Sequence, residues 1–123
     1  MRVLKTKVFN KWSKKEGLND TILLEAINEV EKGLIDGDLG GNIYKKRIAK
    51  LGQGKRGSTR TIIAFRIREK AFFIYGFSKS DKENINNKEL EALKKYASLI
   101  LNFTEFELKE ALVRGELMEV KNV

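Results

Sequence analysis

The chain has 123 residues, 25 Lys and Arg against 17 Asp and Glu, and no His, Cys or Pro. Its formal net charge is +8, and 41% hydrophobic residues, with seven Phe, three Tyr and one Trp, predict one folded domain with a modest core. The absences exclude disulfides, thiolate metal sites, cysteine nucleophiles, Ser-His-Asp triads and imidazole acid–base chemistry. No apolar run approaches the ~18 residues needed to cross a bilayer. The start, Met1-Arg2-Val3-Leu4-Lys5, is charged at once and lacks the apolar region of a signal peptide, so a cytoplasmic protein is the expectation.

In chain order, Arg2 to Val8 alternates partly and is rich in β-branched residues, which predicts a short strand. Phe9 to Lys15 reads as a short helix closing at Gly17. Asp20 is the expected cap of a second helix, whose apolar face is Leu23, Ala26, Ile27, Val30 and Leu34 at 3- and 4-residue spacing. The turn formers of Asp36 to Gly41 end it. From Ile43 the period changes to 2: Tyr44 and Ile48 share a strand face with the stem of Lys46, and Lys45 and Arg47 share the other. Leu51 to Thr59 reads as a flexible basic loop, Thr61 to Ile67 as a buried strand, Arg68 to Lys70 as a hairpin connection and Ala71 to Phe77 as the returning strand. Asn87 is the expected cap of a helix striped by Leu90, Leu93, Ala97, Ile100 and Leu101. Thr104 to Glu107 reads as a capping box opening a last helix to about Val113, near Gly115. For Glu116 to Val120 the pattern leaves strand and loose segment open. The expected architecture is one α+β domain with an antiparallel sheet.

Charge is distributed unevenly. Residues 1–40 hold seven basic and seven acidic residues, 41–82 hold twelve and two, and 83–123 hold six and eight. The whole excess therefore lies in the middle third, as expected of a localised anion-binding face rather than a uniformly basic surface. Within it, Gly52, Gly54 and Gly57 surround Lys55 and Arg56, and Arg60 stands at the entry to the next strand. Glycines admit an anion close to backbone amides, while Lys and Arg supply charge. The loop is not a Walker A motif, because Arg56-Gly57 separates Lys55 from Ser58 and the flanking elements read as two strands.

RNA fits these residues better. Lys45 and Arg47 on one strand face, with Lys55, Arg56 and Arg60 from the loop and Lys79 beyond the next strand, can converge on a sugar–phosphate backbone. Lys50 and Lys82 extend the basic set, and Tyr75 and Phe77 are candidates for base stacking, although aromatic strand residues are more often core. Arg66 and Arg68 read as solvated. RNA carries its own nucleophile, the 2′-hydroxyl, so crowded lysines can serve as base and arginines can stabilise charge at phosphorus without histidine. The segment's only carboxylates are Glu69 and Asp81, so neither a metal nor another cofactor is expected.

Tyr44-Lys45-Lys46-Arg47-Ile48-Ala49, Gly52 to Gly57, Arg60 to Phe65, and Ala71 to Phe77 with Lys79 and Asn84-Ile85 resemble the HigB/RelE-like toxins of bacterial type II toxin–antitoxin systems. The resemblance covers about residues 1–101, which it sets off as the core of a single 1–123 domain, and 102–123 resembles a C-terminal helical extension of one branch. It implies a RelE-like antiparallel sheet with N-terminal helices packed on it and C-terminal helices. It also implies ribosome-dependent mRNA cleavage by 2′-hydroxyl attack, and a cognate antitoxin, often a helix-turn-helix protein. Carried over, Lys45, Arg47, Lys55, Arg60 and Lys79 match the basic catalytic positions. Two other readings share these residues: a ParE-type topoisomerase poison on the same fold, and a non-catalytic RNA- or ribosome-binding module.

Overall fold

The computed structural model describes residues 1–50 and 54–121, with side chains for all of these except 50 and 54–58. Its centre is an antiparallel ribbon of β3 (Ile43–Lys50), β4 (Gly54–Arg66) and β5 (Lys70–Ser78). The short β2 (Gly37–Gly40) flanks β3 at one edge. At the other side β1 (Arg2–Thr6) pairs parallel with β5, and β6 (Leu117–Glu119) pairs antiparallel with β1. The order is β2-β3-β4-β5-β1-β6.

Helices cover both faces. On one lie α1 (Lys7–Lys15) and α2 (Asp20–Glu31), over Val3, Phe9, Leu23, Ile27, Ile63, Phe65 and Phe73. On the other lie α3 (Asn87–Leu101) and α4 (Glu105–Val113), over Leu4, Ile62, Ala64, Phe72, Ile74, Ala97 and Leu108. Strand alternation deals side chains to the two faces in turn, so residues 62–65 of β4 and 71–74 of β5 are apolar on both sides and read as continuous hydrophobic runs. Residues 102–121 add α4 and the edge strand β6, and they bury Leu108, Ala111, Leu117 and Val120.

A bulge on β5 decides which side chains reach the α3 side of the sheet. Ile62 pairs with Tyr75 while Ile63 pairs with Phe73, leaving Ile74 as the extra residue. Ile74 and Tyr75 therefore both face α3, and beyond them Phe77 faces α3 while Gly76 faces α1. A side chain at Gly76 would collide with the Trp12 ring, since an added Cβ would lie 2.2 Å from its nearest atom. The indole of α1 therefore lies directly on the β5 backbone.

Local signals place several helix ends to within one residue, but two readings miss by more. α1 begins at Lys7 under a Thr6 cap rather than at Phe9, so β1 stops short of Val8. α2 ends at Glu31, which leaves Leu34 outside the helix and exposed instead of on its apolar face. Asn19, not Asp20, caps α2, its side chain accepting from the Ile22 amide at 2.9 Å. This leaves Asp20 in the first turn, bonded to Lys5. Asn86, not Asn87, caps α3, in a reciprocal box with Glu89. The Thr104–Glu107 box opens α4 as the sequence predicts. Two loop readings are corrected. The 36–41 turn contains β2, because the Asp36 amide and Gly37 to Gly40 find partners along β3. The basic loop is shorter than 51–59, because β4 already begins at Gly54 opposite Lys50. The undecided tail is a strand, paired through Leu4–Glu119 to Thr6–Leu117.

Candidate nucleic-acid interface

Register brings the basic residues of different strands together. Arg47 on β3 lies opposite Arg60 on β4, which lies opposite Phe77 on β5. In the next row with the same orientation, Lys45, Ile62 and Tyr75 stand side by side. Directly opposed residues project to the same face about 5 Å apart, and Ile62 and Phe77 fix that face as the α3 side. One sheet face thus carries Lys45, Arg47, Arg60 and Tyr75. Arg47 is exposed, and Lys45, Arg60 and Tyr75 are half-buried.

Neighbouring groups pack against Lys45 and anchor the strand at Arg47. The stem of Lys45 lies across β2 at Gly37, where a Cβ would come within 3.4 Å of it. The Arg47 amide donates to Asp36 Oδ2 at 2.7 Å, pinning the strand just before β2 begins. Lys46, between them, points to the opposite face. It is only 7% exposed and its ammonium donates to the Leu34 carbonyl at 2.9 Å and pairs with Glu29 at 2.7 Å. Of the three consecutive cations, the middle one ties α2 to the sheet and the outer two face α3, as period-2 alternation requires.

At the β5 end, Ser78 organises a turn by donating to Asp81 Oδ2 at 2.8 Å. Lys79 is exposed in this turn, just past the strand. Lys82 returns over the sheet with its ammonium 5.8 Å from the Tyr75 ring centroid, and it pairs with Glu89 on α3. The Tyr75 hydroxyl donates to the same Glu89 oxygen at 3.3 Å. The Lys82 hydrogen bond, joined by the Asn86 amide, holds the Glu89 carboxyl below the usual range, and Glu89 in turn raises Lys82. Tyr75, Glu89, Ala92 and Leu93 line an apolar notch of about 170 Å³. Phe77 is 4% exposed among the α3-side apolar residues, with its centroid 5.9 Å from that of Tyr75, so it supports the tyrosine from within the core.

Of the ten residues singled out in the sequence, the fold brings Lys45, Arg47, Arg60, Tyr75 and Phe77 into two adjacent rows and places Lys79 and Lys82 at their β5 end. The side chains of Lys50, Lys55 and Arg56 lie outside the described residues. Arg66 is not merely solvated, because it donates to the Leu101 carbonyl at 2.9 Å and so satisfies the end of α3. Sequence reasoning missed Glu89, which joins Tyr75, Lys82 and the α3 cap. Its one local signal was the Asn-x-x-Glu spacing of a capping box.

Chemically, the face is a cluster of cations with a tyrosine beside it, an arrangement suited to a phosphodiester. Among the described residues no group of His, Cys, Asp or Glu is placed to hold a metal ion, and no helix is long and apolar enough to cross a membrane. No curated protein matches the chain. The sequence profile of the RelE toxin of the RelE / RelB toxin–antitoxin system matches residues 1–120, nearly the whole chain. With that match and an α+β fold of the expected kind, the chain belongs to the RelE toxin family of toxin–antitoxin systems.

Proposed function

We propose that this toxin is an endoribonuclease acting on mRNA at the ribosome, and that its site is the α3-side sheet face carrying Lys45, Arg47, Arg60 and Tyr75. The pairing of Arg47 with Arg60 carries the reading. Two guanidinium groups on directly opposed residues suit the non-bridging oxygens of one phosphate, and they favour a phosphorane more than the ground-state diester because negative charge grows there during attack. The substrate supplies the 2′-hydroxyl nucleophile. Lys45, in the adjacent row, would transfer a proton or bind a neighbouring phosphate. Tyr75 offers a ring to an unstacked base while Glu89 holds its hydroxyl. Lys79, Lys82, Lys50, Lys55 and Arg56 would extend the cationic track, and Lys55 and Lys79 are, with Lys45, the candidates for proton transfer and substrate positioning.

The test is induced expression of the wild type and of Arg60→Ala in growing cells, followed by mapping of mRNA 5′ ends. The expected result is growth arrest with new ends inside translated codons for the wild type, and at least a hundredfold fewer for the variant. Growth arrest with intact mRNA and a DNA-damage response would refute the reading and support a topoisomerase poison. Salt-sensitive RNA association without cleavage under translation would reduce the protein to a binding module.

A further inference from the structure

α3 supplies a cation that the basic strands do not. Lys94 is half-buried, next in the chain to Leu93 of the Tyr75 notch. Its side chain reaches from α3 to the turn between β2 and β3. A Cβ on Gly40 would lie 3.5 Å from its ammonium, and one on Gly41 would lie 3.6 Å from its Cγ. Both glycines have positive φ, 82° and 61°, a conformation that favours residues without a Cβ, and so these two positions put no side chain over the ammonium. Among the described residues no carboxylate pairs with Lys94. Glu89 is engaged by Lys82 and Tyr75, and Asp38, opposite Tyr44 on the α2 side, accepts from the Gly40 amide at 3.0 Å.

Register sets Lys94 in line with the other cations. On the α3 side of β3, Arg47, Lys45 and Ile43 follow one another two residues apart, about 7 Å per step. Gly40 pairs with Ile43, so the ammonium beside Gly40 stands one step beyond Lys45, as Lys45 stands one step beyond Arg47 and Arg60.

We infer that Lys94 binds the RNA phosphate two positions along from the one held by Arg47 and Arg60, on the Lys45 side. It thereby sets the path of the strand along β3 towards the β2–β3 turn. Steps of this length suit successive phosphates of an extended single strand, and Tyr75 in the middle row meets a base turned inward from it. A half-buried ammonium without a counter-charge has given up part of its hydration, which an incoming phosphate replaces with a charge-assisted hydrogen bond. The inference rests on the reading of this face as an RNA site and not on cleavage.

The test is the salt dependence of binding to the full chain. The probes are a 2′-O-methyl hexanucleotide, which has no free nucleophile, and the corresponding dinucleotide with its single phosphodiester. The proteins are the wild type, Lys94→Gln, Lys94→Arg and Lys95→Gln. Lys95 is exposed and next on the same helix, so its variant alters the net charge equally. For the hexanucleotide, Lys94→Gln is expected to bind about threefold more weakly and to lower the slope of log affinity against log salt by about 0.7. Lys94→Arg should bind as the wild type does, Lys95→Gln should change neither quantity, and the dinucleotide should be indifferent to all three substitutions. Equal behaviour of Lys94→Gln and Lys95→Gln would overturn the inference, as would an equal loss on the dinucleotide or an absence of salt-dependent binding by the wild type. Mapping of mRNA 5′ ends separates the two readings. A Lys94 effect on binding with no cleavage in cells would refute the nuclease reading alone, and cleavage with Lys94→Gln neutral in binding would refute this inference alone.

Discussion

Gly76→Ala is the sharpest structural prediction, because one methyl group meets a well-defined obstacle. The added Cβ would lie 2.2, 2.4 and 2.6 Å from three atoms of the Trp12 ring, against an ordinary carbon–carbon contact of about 3.5 Å or more. The indole must retreat by about 1.3 Å to restore that contact. Inward retreat is blocked: Trp12 packs on Phe9 with centroids 5.4 Å apart, and Phe9 stacks on Phe73 at 5.0 Å. The ring must therefore swing outward and lose part of its burial, or β5 must shift. Either response places the cost at the upper end of overpacking, about 3 kcal/mol, which lowers the melting temperature of a domain this size by about 12 °C. Thermal unfolding of the four members of a Trp12→Leu/Gly76→Ala cycle measures it. With the shorter leucine side chain in place of Trp12, the second substitution is expected to cost less than about 1 kcal/mol, leaving a coupling of about 2 kcal/mol. Equal cost in both backgrounds would refute the reasoning. Gly76 lies between the Arg60–Phe77 and Ile62–Tyr75 pairs, so any shift of β5 also displaces the basic face, and Gly76→Ala should lose toxicity even below its melting temperature.

Lys46→Met and Lys45→Met should separate two roles in one tripeptide. The first removes a cation bonded to Leu34 and Glu29 and should cost about 2 kcal/mol by denaturant unfolding, whereas the second should leave stability within about 0.5 kcal/mol and reduce RNA cleavage or binding. Asp20 should give the fold an acid-sensitive step. Burial opposes its ionisation, but the Lys5 ammonium and the Lys121 amide outweigh this and leave the carboxyl below its usual value. Its folded pKa is depressed, so the stabilisation is fully present above about pH 4 and is lost as pH falls through the folded value. Asp20→Asn should flatten the stability profile in that acid window, and an unchanged profile would count against the pair. Glu89→Gln removes the charge that holds Lys82 while keeping an acceptor for Tyr75. Faster proton exchange at Lys82 with Tyr75 still ordered, read by NMR, is the expected outcome.

Much of the fold was legible because local chemistry and periodicity agreed. The change from period 3.6 to 2 at Ile43, the Thr104–Glu107 box and the aromatic run of β5 each specify an element whatever lies around it. The separation of Lys45 and Arg47 from Lys46 was also legible, since alternation along a strand follows from backbone geometry alone. The edge strands β2 and β6 were not, because each is four residues or fewer and forms only where a neighbouring strand offers free backbone groups.

The sequence by itself determined that the charge is concentrated in residues 41–82 and that any chemistry there proceeds without histidine or cysteine. It also carried the family, through a block of residues whose order the fold preserves. Only the tertiary structure decided which cations meet. The pairing of Arg47 with Arg60 depends on hairpin register, and the joint appearance of Tyr75 and Phe77 on their face depends on one extra residue at Ile74. A slip of one residue would have turned every one of these side chains to the other face, and register is a property of two strands together that neither strand encodes alone.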